Sequence, residues 1–347
     1  MFNVSRNCDC CKNRHLNYQE FDNSKGSHYW FWTKSKKKYI KKGQEKITMQ
    51  SLKQKVLAYP KNIMEHFEKL LEPYMCHCAN IVAQNKGIKN LKSNLKSGEF
   101  IVHCDFSEKY NTKYASEIQS FHFGSSRQQV TLHTSVIYYV KNEEISTKSF
   151  CTLSECLRHD AVAIWEHLIP ILNFIEKEVS EMKFLNFISD SPSAQYRNRK
   201  MFYVMAKLHW NYPNLRRVVW NHSKKGHGKG APDGVRGVLK RTADQIVAQG
   251  NDIPNIEALI SHLKIKCPGV SIEEVVESGV LEKELLIPSD LKEFRGTMAV
   301  HQAIWSCNNP EVLAMRRLSC EWEYALKNQC NVHMDTILVS ITLGIQL

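Results

Sequence analysis

Three aspartates stand where carboxylate chemistry could be done. Asp105 closes the short β-rich run Glu99-Phe-Ile-Val-His-Cys-Asp105, and Asp190 follows the apolar run Phe-Leu-Asn-Phe-Ile after Lys183. Asp233 lies where a glycine-rich loop, Gly226-His-Gly-Lys-Gly-Ala-Pro-Asp-Gly234, enters a predicted helix. Acids at strand ends and at a helix start can meet on one edge of an α/β sheet, because strand ends define its crevice. Converging carboxylates raise one another's pKa. Mg2+ or Mn2+ relieves that repulsion, since both prefer hard oxygen ligands. Two such ions about 4 Å apart clamp an in-line phosphoryl displacement, one at the attacking oxygen and one at the leaving oxygen. A single Asp at a strand end is more often only a turn residue or a helix cap. The set carries the expectation.

The elements that must position these acids follow from periodicity. Gln128–Val140 alternates and is rich in Val, Thr, Ile and Tyr, which predicts a strand; Phe150–Leu153 is a further short one. Ala161–Val179 and Ser193–Trp210 are predicted helices, the first capped by His159-Asp160. Lys183–Ser189 and Leu215–Trp220 are predicted buried strands, and Val235–Gln249 a helix. Alternating strands and helices give an α/β layer. Residues 51–98 carry Leu52, Val56, Ile63, Phe67, Leu70 and Leu71 at helical spacing, interrupted at Tyr59-Pro60. The division expected is a basic, Cys- and aromatic-containing leader, partly disordered, at 1–50, a helical segment at 51–98, a core at 99–250 and a helical/β appendage at 251–347.

The whole chain narrows the partner. It has 347 residues, 43% of them hydrophobic, and a formal net charge of +12. Such an excess attracts polyanions, nucleic acid first and an anionic membrane surface second. The aromatic cluster Tyr29-Trp-Phe-Trp32 precedes Lys34, Lys36, Lys37, Lys38, Lys41 and Lys42, a pattern of nuclear-localisation or nucleic-acid-binding segments and equally of a solvated tail. The N-terminus carries no apolar signal region, and no apolar run reaches the length of a membrane span. The expected compartment is nuclear or cytoplasmic, with the 12 cysteines reduced.

Five blocks lend the acids a context. They are Asp105-Phe-Ser-Glu108, Glu117-Ile-Gln-Ser-Phe-His-Phe-Gly124, Arg127-Gln-Gln-Val-Thr-Leu-His133, Ser189-Asp-Ser-Pro through Lys200, and the glycine loop 226–234. In this order they resemble a group of animal proteins derived from cut-and-paste DNA transposons. The core of that group resembles the RNase H-like DDE/DDD transposase superfamily. The resemblance spans roughly residues 55–335. It implies an α/β RNase H-like mixed sheet flanked by helices, with a helical leader and a small C-terminal appendage. It implies two Mg2+ or Mn2+ ions, DNA as partner, and strand cleavage and joining. In that superfamily the first acid lies on the first strand, the second after the fourth, and the third on a later helix. Asp105 and Asp190 match the first two, and Asp233 the third, with Glu257 and Glu311 as fallbacks. Oligomeric state is left open, a homo-oligomer included.

Residues near the acids are candidates for secondary roles, with ordinary polar positions as the alternative. Glu108 and His122 are candidate neighbours of the metal ligands. His227, Lys229, Arg197 and Arg199 are candidate phosphate contacts, and for Arg197 and Arg199 a solvated helix face is the equal alternative. Cys320, Cys330 and His333 supply three of four ligands for Zn2+; among Cys8, Cys10, Cys11 and His15, Cys8-x2-Cys11 fits zinc spacing and Cys8-x-Cys10 is too tight, and with no second Cys pair nearby a non-metal role is preferred. The glycine loop is no P-loop, since Gly230 follows Lys229 where Ser or Thr is needed, and no Gly-x-Ser-x-Gly elbow supports a hydrolase. Ser191 stands where glycine is expected, and the Cys-poor tail departs from the group. Those departures favour an alternative: an inactive transposase relic that binds nucleic acid or protein.

Overall fold

The structure, a computed structural model, describes residues 16–41, 44–106, 109–119, 127–178, 182–224, 226–292, 296–319 and 336–340. The chain divides into two compact units, Met1–Asn80 and Ile81–Leu347.

The first unit holds a two-stranded antiparallel ribbon, β1 (Ser27–Lys41) and β2 (Gln44–Ala58), in which Ser27 pairs with Ala58 and Lys41 with Gln44. The helical segment expected from residue 51 therefore begins later. Helix α1 (Pro60–Ser93) opens on Pro60, whose missing N–H costs nothing at the first helical position. Leu52 and Val56 fit helical spacing, but cross-strand pairing over the length of β1 overrides local propensity. Tyr29 and Phe31 lie against His66 of α1 at 6.2 and 6.5 Å between ring centroids.

The second unit is a ten-stranded mixed sheet with helices on both faces. Its strands are β3 (Glu99–Phe106), β4 (Tyr110–Asn111), β5 (Gln129–Lys141), β6 (Glu144–Ser154), β7 (Phe184–Ser189), β8 (Arg217–His222), β9 (Val270–Glu274), β10 (Gln302–Ser306), β11 (Val312–Arg316) and β12 (Ile337–Ser340). The order across the sheet is β12-β11-β10-β8-β7-β3-β5-β6-β9, with the short β4 beside β5. β3, β7 and β8 run parallel, and β5 runs antiparallel to both β3 and β6. The β5–β6 hairpin turns through Asn142 and Glu143, both at positive φ (52° and 66°), the requirement of a two-residue type I′ turn. β6 is thus far longer than the Phe150–Leu153 expected.

The expected appendage after residue 250 is part of this sheet. β9 extends one edge by pairing parallel with β6, and β10, β11 and β12 extend the other beyond β8. Short strands with Ala303, Trp305, Leu313 and Met315 buried complete the main core rather than forming their own.

Helices α2 (Ala161–Glu178) and α3 (Arg199–Lys207) cover one face, packing on Val102, Cys104, Phe106, Leu185, Phe187, Val218 and Trp220. Asp160 caps α2 as expected, its Oδ1 accepting from Val162 and Ala163 N–H. Helices α4 (Ala231–Ala248) and α5 (Ile256–Lys266) cover Val130, Leu132, Cys151 and Leu153 on the opposite face. Leu91 of α1 and Leu95 after it cover Ile101 and Ile188 there. A last helix, α6 (Glu277–Leu285), lies against α2.

Candidate metal centre

The sheet brings Asp105 and Asp190 together by register. β3 pairs parallel with β7, His103 opposite Ile188. The ladder ends there; Asp105 lies two residues further along β3, and Asp190 follows directly after β7. Side chains alternate along a strand, so Ile101, His103 and Asp105 share a face, and Ile188 and Asp190 share the same one. Helix α4, with Asp233 in its first turn, packs over that face.

A serine brace holds the ends of β7 and β8 together. The Ser191 hydroxyl donates to Ser223 O at 2.6 Å, and Ser223 N–H and its hydroxyl both donate to Ser189 O at 2.8 Å. Trp220 Nε1 donates to the Ser189 hydroxyl at 2.8 Å. Ser191 therefore has a task that glycine could not perform. Its backbone does not need glycine's freedom either: among the described residues, only Asn142 and Glu143 combine a side chain with positive φ.

The two strand-end carboxyls sit in a strained electrostatic setting. Burial, then the charges of Asp190 and Asp233, push the Asp105 carboxyl up to about 6 against the pull of Arg236. Burial and then Asp233 push Asp190 up to about 6 as well, opposed by Arg197. Asp190 Oδ1 is buried without a hydrogen-bond partner. Two half-buried carboxyls beside Asp233, one with an orphaned oxygen, make a donor set that a divalent cation fits.

Asp233 is the acid whose charge both of them feel. It also serves its own helix. Its Oδ2 accepts from Gly230 N–H at 2.8 Å, a helix-start bond, and its Oδ1 accepts from Arg236 Nη2 at 2.6 Å. Arg236 Nη1 reaches Asp105 Oδ2 at 3.3 Å. The Arg236 guanidinium thus spans Asp105 and Asp233, where a cation would serve. Among the described residues, no three His, Cys, Asp or Glu form a ready-made metal cage. The fallback acids lie elsewhere: Glu257 is exposed on α5, and Glu311 pairs with Lys207 at 3.7 Å.

The glycine loop closes over these acids because it lacks side chains. A Cβ on Gly228 would lie 2.3 Å from Asp190 Cβ, and one on Gly230 would lie 2.2 Å from His103 Cε1. His227 and Lys229, flanking Gly228, are exposed at the mouth. Arg197 differs from expectation. It precedes α3, is 2% exposed, and spends Nη1 on Val300 O and Nη2 on Met298 Sδ. Buried there, it acts as a counter-charge behind Asp190 and is not a surface phosphate contact. Arg199 donates to Leu291 O and so tethers the segment before the last strands. Glu108, His122, Cys320, Cys330, His333 and the cluster Cys8, Cys10, Cys11 and His15 lie outside the described residues.

Two site residues escaped the sequence reading. His103 lies two positions before Asp105 on the same face; burial, then Lys92, holds its pKa down at about 4. Strand alternation was the signal that could have found it. Arg236, one helical turn after Asp233, was legible from its i, i+3 spacing.

A family model described as a domain of unknown function, DUF8701, matches residues 84–319. The chain belongs to that family. The DUF8701 span contains all three aspartates and the glycine loop. Its two ends also meet: Ser319 N–H donates to Gln84 Oε1 at 2.6 Å, and Gln84 Nε2 donates to His222 O at 2.8 Å. No curated protein matches the chain. Among solved structures, "Crystal structure of NurA bound to dAMP and manganese" aligns at 13% identity and a TM-score of 0.15. That alignment covers 60% of this chain and 46% of the other, so the chain spans less than half of that protein's length. A likeness at that level carries no argument about fold or chemistry.

Proposed function

We propose that this member of the DUF8701 family has an RNase H-like core of the transposase type, built for metal-dependent phosphoryl transfer on DNA. One observation carries the reading: Asp105 near the end of β3 and Asp190 just after the adjacent parallel strand β7 are both half-buried and both pushed up to about 6. The first acid lies on the first core strand and the second follows β7, the fourth strand once the two-residue β4 beside β5 is set aside. Asp233 opens the helix after β8. This is the order the transposase resemblance implies. Asp105 and Asp190 would hold Mg2+ or Mn2+, and the bound cation supplies activation of a water or 3′-hydroxyl and stabilisation of the leaving oxygen. Arg197 balances Asp190 from behind. Exposed His227 and Lys229 meet the DNA phosphates, and the +12 charge draws the duplex in.

A second reading is favoured by Arg236. A guanidinium already spanning Asp105 and Asp233 is an internal substitute for a metal, as expected of a fold retained for binding alone. Mn2+ titration by calorimetry, with and without a DNA duplex, separates the two. The first reading expects saturable binding in the wild type, loss in Asp105→Asn/Asp190→Asn, and tighter binding in Arg236→Gln. Its companion readout is Mn2+-dependent nicking of supercoiled DNA. No Mn2+ uptake by a folded wild type, with or without duplex, removes the enzyme and leaves the binding module.

A further inference from the structure

The basic and aromatic segment near the N-terminus is an ordered ribbon with two unlike faces. On β1 the odd positions Tyr29, Phe31, Thr33 and Ser35 are half-buried, and Tyr29 and Phe31 meet His66. The even positions point the other way. There Trp30 is 57% exposed and Trp32 71%, followed by exposed Lys34 and Lys36. Register sets Lys55 opposite Trp30 and Lys53 opposite Trp32. Lys53 Nζ also stands 5.6 Å from the Trp30 ring centroid. Between Ser27 and Ala58 the sequence has nine lysines and one acid, Glu45, which pairs with Lys38 at 2.7 Å.

We propose that this Trp30/Trp32 face of the ribbon binds single-stranded nucleic acid, with the indoles as stacking platforms and Lys34, Lys36, Lys53 and Lys55 on the phosphates. Indole faces left in water cost free energy unless something flat covers them. Base faces are open in a single strand and hidden in a duplex. Stacking with flanking cations is the general mode of single-strand binding. The same-face repeat of a β-ribbon, about 6.6 Å, presents tryptophans and then lysines in one row, as an extended strand presents bases and phosphates. On the same face Leu57 lies opposite His28, Met49 opposite Lys36 and Ile47 opposite Lys38, all exposed, so apolar and cationic side chains are interleaved along it. This surface extends the nucleic-acid reading to a second site, but rests on none of its acids.

The test is fluorescence anisotropy of a labelled oligothymidylate with the full chain. Trp30→Ala/Trp32→Ala should weaken binding by at least about tenfold, with Trp30→Phe/Trp32→Phe restoring part of it. Lys34→Gln/Lys36→Gln should flatten the dependence of log affinity on log salt by about 1.4, or 0.7 per lost phosphate contact. Binding and its loss in the tryptophan pair should be the same in chelator, so the ribbon and the metal centre can fail separately. The four ribbon side chains are exposed, and circular dichroism checks that the variants fold. Unchanged oligothymidylate affinity in the tryptophan pair overturns the proposal. So does preference for a duplex, or binding only to vesicles of phosphatidylcholine and phosphatidylserine in equal parts.

Discussion

Asp190 shows what a site of this kind costs. Its carboxyl is raised to about 6 from an ordinary 3.8, and one oxygen has no partner. A group with a raised folded pKa holds its proton better folded than unfolded, so its contribution falls as pH climbs from 3.8 through about 6 and stays lost above. Asp190→Asn should therefore unfold at a higher temperature than the wild type at neutral pH in chelator, and at the same temperature at low pH. Mn2+ should narrow the neutral-pH gap by stabilising only the wild type. Equal melting at both pH values would show that the buried charge is compensated by something other than Arg197. Asp190 itself was legible in the sequence as an acid after an apolar run. The expectation that it meets Asp105 came from the resemblance to transposases and not from periodicity, because register belongs to the sheet.

At the scale of the element, the loop from β8 to α4 depends on absent atoms. Ala at Gly228 would drive its Cβ to 2.3 Å from Asp190 Cβ and 3.2 Å from Asp190 Cα. Gly228→Ala should cost about 1–3 kcal/mol, the usual range for overpacking, and should weaken Mn2+ binding by displacing Asp190. Urea denaturation and calorimetry read the two effects, and a variant with wild-type values for both would place the loop away from the acid. The β5–β6 hairpin carries the opposite opportunity. Glu143 holds φ at 66° without glycine's tolerance, so Glu143→Gly should stabilise by roughly 1 kcal/mol. That turn was hard to read because Asn-Glu lacks the glycine of the common hairpin signal. Leu52 and Val56 misled for a related reason: their four-residue spacing suits a helix, while pairing with β1 extends them.

At the scale of the whole molecule, five histidines among the described residues have a pKa driven down chiefly by burial. His103 and His301 fall to about 4, His167 to about 3, and His133 and His222 well below the usual value of 6.5. Each is neutral when folded and takes a proton when unfolded, so stability is lost as pH falls below 6.5. Asp105 and Asp190 act in the opposite sense. Five against two leaves a net uptake of about three protons on unfolding near pH 5. Chemical denaturation midpoints should fall steeply from about pH 7 to about pH 5, and a flat profile would mean that these imidazoles reach water. At this scale too, the DUF8701 span closes through Gln84 and Ser319, and strands on both sides of residue 250 share one sheet.

The sequence by itself determined the α/β alternation, the acids at Asp105 and Asp190, the cap at Asp160 and the basic balance, because these rest on local periodicity, residue chemistry and charge count. Tertiary structure decided the rest. It chose which strands became neighbours, turned Arg197 inward, put Arg236 between Asp105 and Asp233, and folded a lysine-rich segment into a two-faced ribbon. Each of those depends on pairing and packing between residues far apart in the chain, and the free energy of such contacts is absent from any short window of sequence.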